Sequence, residues 1–172
     1  MNTWRVCASL VLLVSVELWA ATSSPQAAIR SSGETTLASR VGGVDIQVKL
    51  RTHEVAVGTP DKPVKLADSA CTMSRIPCSV LDGMDITVGG EPLFVPRSVF
   101  ADLADLGNAK LKFENGKYIL VLLGGDASES YVVKIVFTRK RITYRTLRSA
   151  EFPEQPLQET IYHSSDSEKT IN

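Results

Sequence analysis

Cys71 and Cys78, with Pro77 beside the second, are the residues of this chain best placed for covalent chemistry. The third cysteine, Cys7, lies in an apolar N-terminal stretch. A dithiol redox pair takes the Cys-x-x-Cys spacing, which this is not. A structural zinc site takes four ligands, and the only histidines, His53 and His163, have no spaced partners, so no metal or cofactor is expected. The spacing predicts a structural disulfide, and closing a loop of this size is worth roughly 2–2.5 kcal/mol. Thr72, Met73, Arg75 and Ile76 fall inside it. A pinned loop loses little entropy on docking, which makes Met73 and Arg75 candidate partner contacts. The competing expectation is that Met73 and Ile76 fold back onto the core.

The second cluster is Arg139-Lys140-Arg141, followed by Arg145 and Arg148. Strand alternation predicts Arg139, Arg141, Thr143 and Arg145 on one wet face, with Ile142 and Tyr144 on the other. Such a row could hold carboxylates or phosphates, since guanidinium groups bind them in a bidentate fork. Equally, it is a solvated hairpin neutralised by Glu151, Glu154 and Glu159. Nucleic acid is not an expected partner, because no stacking aromatic is interleaved on that face and the formal net charge is zero.

Nothing else carries a catalytic signature. Ser98 is outside any Gly-x-Ser-x-Gly elbow. Asp102 and Asp105 are expected on the exposed side of a helix, as a solvated face. Gly124-Gly125-Asp126 opens no helix and reads as a turn, not a phosphate cradle.

The elements that would position these residues follow from periodicity. Val44, Ile46, Val48 and Leu50 alternate with Asp45, Gln47, Lys49 and Arg51, the mark of a half-buried strand. Glu54–Val57 and Val64–Leu66 are short strand candidates, and Met84–Val88 alternates again before Gly89-Gly90. Pro96–Leu106 is predicted as a helix, with Val99, Phe100, Leu103 and Leu106 on one stripe and Gly107-Asn108 as its stop. Lys110–Glu114 and Lys117–Leu123 flank Asn115-Gly116, the strongest short hairpin signal. In the second arm Tyr118, Leu120 and Leu122 alternate with Ile119, Val121 and Leu123, which predicts a strand buried on both faces. Ser130–Phe137 and Arg141–Leu147 predict a second hairpin, and Leu157–Tyr162 an edge strand. The expected class is α+β: a mostly antiparallel sheet of short strands with one amphipathic helix packed on a face.

The ends set the compartment. Arg5, the apolar run Val6–Val16 and the small residues Ala20 to Ser23 predict a secretory signal over residues 1–23, with cuts after Ala20, Ala21 or Ala27 as alternatives. Residues 24–40 are expected to be a flexible leader, 41–163 a single domain and 164–172 a disordered tail. Charge is segregated along the chain. Lys110–Arg148 holds nine bases against Glu114, Asp126 and Glu129, while 81–106 and 149–172 each hold five acids against a single base. The expected function is a small exported binding module, periplasmic or secreted and non-catalytic, that recognises a protein or an anionic envelope ligand without inserting stably in a membrane. An exported hydrolase with no local motif, or a passive envelope protein, is the alternative.

Overall fold

The computed structural model describes residues 24–59, 61–63 and 70–163. The expected signal (1–23), the candidate strand at Val64–Leu66 and the tail (164–172) lie outside the described residues. In chain order the strands are β1 (Gln26–Ala28), β2 (Gly33–Val41), β3 (Val44–Val55), β4 (Gly58–Thr59), β5 (Lys62–Pro63), β6 (Cys78–Val88), β7 (Glu91–Leu93), β8 (Leu106–Glu114), β9 (Lys117–Gly124), β10 (Tyr131–Phe137), β11 (Ile142–Ser149) and β12 (Pro156–Ile161). A large sheet runs β1-β8-β9-β10-β11-β12 and a small sheet β2-β3-β6-β7, with β4-β5 a separate ribbon. Every pairing is antiparallel.

The two sheets share one core. Val48, Leu50 and Ile86 from the small sheet and Leu111, Leu120, Leu122, Val133 and Ile135 from the large sheet belong to a single buried cluster. Each strand gives alternate residues to it, as the two-residue period of an extended chain requires. The Asn115-Gly116 turn forms as the dipeptide predicts, with both residues at positive φ (52° and 75°), matching the twist of its flanking strands. The fold is a two-layer β-sandwich.

The α+β expectation is therefore corrected to all-β: among the described residues no helix of seven or more residues occurs. Pro96–Leu106 holds only a 3-10 turn at Arg97–Val99. Its apolar residues are buried as expected, but so is the unbroken run Leu103, Ala104, Asp105 and Leu106. A single helical stripe cannot bury four consecutive residues. The segment spends its backbone on β6 instead: Leu81 N–H donates to the Leu103 carbonyl (2.9 Å) and Asp105 N–H to the Ser79 carbonyl (2.6 Å). A sequence of this length gains little as an isolated helix, so these bonds decide its path.

The expected leader at 24–40 instead holds β1, which pairs with β8, and most of β2, which pairs with β3. Thr35, Leu37 and Val41 point inward and are buried, an alternation that the intervening small polar residues concealed. β9 also departs from expectation. Only its Tyr118, Leu120 and Leu122 face is buried; Ile119 and Val121 are half-buried and Leu123 is 46% exposed.

Tyr131 ties the crossover between β7 and β8 (residues 94–105) to the large sheet. Its hydroxyl donates to the Ala104 carbonyl and accepts from the Ala104 N–H at 3.1 Å. Burial pushes this hydroxyl far above the usual tyrosine range. A phenol held neutral more strongly in the folded than in the unfolded chain stabilises fully below pH about 10, and that stability is lost as pH rises further. Tyr131→Phe is expected to cost about 1–3 kcal/mol at neutral pH, because the Ala104 amide loses its acceptor. The variant should also shed part of the alkaline loss of stability expected of wild type. Urea melts at neutral and strongly alkaline pH check both effects.

Candidate functional site

Arg139, Lys140 and Arg141 form the exposed tip of the β10–β11 hairpin. Thr138 builds that tip. Its Oγ accepts the Lys140 and Arg141 amides at 3.2 and 3.3 Å, and its own N–H donates to the Arg141 carbonyl at 2.9 Å. A hydroxyl that captures nearby amides fixes a turn without using the side chains beyond it. Among the described residues, none of the three cationic side chains has an acidic partner.

Arg145 is not part of this surface. A register shift between Val136 and Phe137 places Tyr144 opposite Val136 and Arg145 opposite the core residue Ile135. The predicted row of arginines breaks at that bulge, because one extra residue in a strand exchanges its two faces. The Arg145 side chain is fully buried. Its Nη2 contacts both Asp102 carboxylate oxygens at 2.8 and 2.7 Å, and its Nη1 donates to Gln158. It pins the crossover to β11 and β12, and is unavailable to a ligand. Asp102, expected on a solvated helix face, is its counter-charge.

The cysteine loop forms as the spacing predicts: Cys71 and Cys78 are disulfide-bonded, with Cα atoms 5.7 Å apart, and both are buried. Carboxylates do the rest of the pinning. Asp105, itself buried, accepts the Thr72 amide (2.8 Å), the Thr72 hydroxyl (3.0 Å) and the Ser79 amide (2.9 Å). Glu129 accepts the Met73 amide at 2.8 Å, and Asp126 the Ser74 hydroxyl at 3.3 Å. Ile76 folds back onto Val57, Cys71, Cys78 and Ala104, whereas Met73 stays 43% exposed. Arg75 is exposed and donates to the Asp105 carbonyl at 3.1 Å, at the rim of a polar depression of about 420 Å³ that Ser31, Ser74 and Ser79 also line. The two cysteines and Asp105 lie close enough to suggest a metal site, but the sulfurs are bonded to each other and the carboxylate is occupied by the donors above.

The two sequence candidates do not converge. β10 begins beside the loop, where Tyr131 reaches Ala104, and ends at Phe137, just before the basic tip. A strand rises about 3.3 Å per residue, so Met73 and Arg75 are separated from the tip by roughly 20 Å.

His53 lies on the outer face of the small sheet, where its Nδ1 is 2.7 Å from Asp82 and both side chains are about half exposed. Among the described residues no serine, threonine or cysteine is bonded to its other ring nitrogen, so no relay to a nucleophile is assembled.

The outer faces of the two sheets are built differently, and no motif in the sequence signals it. On the small sheet the charges neutralise one another across strands: Arg40 with Asp45 (3.9 Å), Lys49 with Glu34 (3.6 Å), Arg51 with Asp85, and His53 with Asp82 (2.7 Å). The Arg51 hydrogen bond holds the Asp85 carboxyl below the usual carboxylate range. On the large sheet, register aligns Lys112, Ile119, Val136, Tyr144 and Ile161 in one row, and Lys110, Val121, Lys134, Thr146 and Glu159 in the next. Lys112 is paired with Glu114 and Arg148 with Glu159. Lys110, Lys117 and Lys134 have no acidic partner among the described residues. Ile119, Val136, Thr143, Tyr144 and Ile161 line a shallow groove of about 530 Å³, closed at one end by Glu114, Asn115 and Lys117. The sequence signal that could have exposed this face is the alternation in β9, whose second apolar set was expected under another layer.

These features define an all-β sandwich with one self-neutralised outer face and one cationic, half-apolar outer face. Among known families, curated proteins and solved structures, none matches the chain.

Proposed function

We propose that this protein is a small exported, non-catalytic binding module for an anionic partner of the cell envelope or its surroundings. The observation that carries the reading is the contrast between the outer faces. Cations on the small sheet are matched by carboxylates, while Lys110, Lys117, Lys134 and the Arg139-Lys140-Arg141 tip are left unmatched in a chain of zero formal net charge. Unmatched cations concentrated on one side create a local positive potential that steers and holds anions. The predicted signal and the disulfide support export, since such bonds persist in oxidising compartments. The cysteine loop is a separate contact surface through Met73 and Arg75.

The test is capture from the envelope fraction with the purified protein as bait, run beside an Arg139→Glu/Lys140→Glu/Arg141→Glu variant. Arg145 is left intact, because reversing it would unfold the crossover. A partner held by wild type and lost by the variant is the expected result. Equal recovery in both arms would remove the tip from the reading.

A further inference from the structure

Resting on that reading, we propose that the outer face of the large sheet docks on the surface of an anionic lipid bilayer. The face combines two properties that seldom coincide on a solvated sheet. Its apolar residues lie in two rows, Ile119, Val136, Tyr144 and Ile161 in one and Leu123 and Val132 in the other, all outward and half-buried or exposed, with Lys134 between the rows. Its cations are distributed, with Lys110 on β8, Lys117 at the β8–β9 turn, Lys134 in the middle of β10 and the basic tip beyond.

Charge complementarity requires an anionic occupant, and the layout selects among anionic occupants. Within the sheet the unmatched cations are all lysines, which act as point charges and not as directional forks. They are separated by apolar residues and follow no single line. A folded acidic protein would need carboxylates fixed at the same irregular spacings. Mobile headgroups rearrange to meet each ammonium, and the intervening aliphatic side chains enter the boundary between headgroups and acyl chains, as on an amphipathic surface helix. The dimensions also fit. Five strands from β8 to β12 span about 19 Å at roughly 4.8 Å per spacing, an open surface one side chain deep. Docking of this kind is peripheral and reversible; no helix among the described residues is long and apolar enough to cross a membrane.

Flotation of the purified full chain with vesicles tests this. Vesicles of phosphatidylcholine containing phosphatidylglycerol are compared with phosphatidylcholine alone, and soluble polyglutamate serves as a lipid-free polyanion. The expected result is binding to the anionic vesicles only, weakening as salt rises from about 0.1 M to about 1 M and the screening length falls from about 10 Å to about 3 Å. Each basic residue near an anionic surface contributes about 5-fold in affinity, so Lys117→Glu/Lys134→Glu is expected to lose at least about 25-fold. Leu123→Ala/Ile161→Ala should lose several-fold with the salt dependence retained. All four positions face outward, and unchanged melting temperatures verify that the fold is intact. Equal binding to both vesicle types, or anionic binding indifferent to both variants, overturns the proposal. Polyglutamate binding or envelope capture of a protein without vesicle binding overturns the lipid inference and leaves the binding-module reading standing. No binding to any polyanion and no capture defeats both.

Discussion

Asp102→Ala is expected to destabilise the protein by about 3–5 kcal/mol, the cost of leaving a buried guanidinium without its counter-charge. Arg145→Met is expected to cost less than half as much. The asymmetry lies in exposure: the Arg145 side chain is 0% exposed and that of Asp102 is 36% exposed. Removing the carboxylate strands a cation that water cannot reach, and Arg145 Nε already lacks a hydrogen-bond partner. Removing the arginine leaves a carboxylate that water can hydrate, while methionine refills much of the apolar volume. The double variant should lie near Arg145→Met, because the stranded charge is gone. Urea melts of the three proteins measure this. Equal costs for the two single variants would show that Asp102 is as dependent on its partner as Arg145 is.

Asp105→Ala should produce the next largest loss, on the order of 3–5 kcal/mol. Two buried amides, at Thr72 and Ser79, and the Thr72 hydroxyl all donate to this carboxylate. Each stranded donor costs about 1–3 kcal/mol, and hydrogen bonds to a charged acceptor lie at the upper end. Asp105 also sits at φ 49°, a left-handed conformation that asparagine and aspartate tolerate better than alanine. Asp105→Asn should therefore be milder, keeping the backbone conformation and one acceptor oxygen. The distinguishing readout is amide hydrogen exchange at Thr72 and Ser79, expected to accelerate in the alanine variant more than elsewhere in the sandwich. Uniform acceleration across all strands would mean that Asp105 acts on global stability and does not specifically hold the loop.

The strands were legible wherever alternation met a decisive turn: β3 from Val44 to Leu50, the Asn115-Gly116 hairpin, and the β10–β11 pair. The disulfide was legible from spacing and elimination. Pro96–Leu106 misled because helical spacing of Val99, Phe100, Leu103 and Leu106 records only that these residues are buried, and a winding crossover buries them equally well. The same helical spacing predicts Asp105 in solvent, although its donors come from Thr72 and Ser79, more than twenty positions away. β2 was hidden because an inward threonine and small polar neighbours blur a two-residue period. The Arg145 error has a local cause. Strict alternation from Arg139 carries it to the wet face, and a single bulge at Val136/Phe137 reverses it. The sequence shows the excess of bases over Lys110–Arg148 but not that they share a face, since the lysines come from separate strands and only the register brings them together.

The separation of the basic tip from the cysteine loop along β10 has a thermodynamic meaning. Val133, Ile135 and Phe137 between them are 0% exposed and packed in the sandwich core. Close-packed interiors have low compressibility, so the core between the two ends is stiff. On the proposed reading, a partner at the tip and one at the loop would share no contact residue, and the two are expected to bind with little coupling. If both ends bind, the molecule would act as a stiff spacer, and titrating one partner in the presence of the other would leave its affinity unchanged.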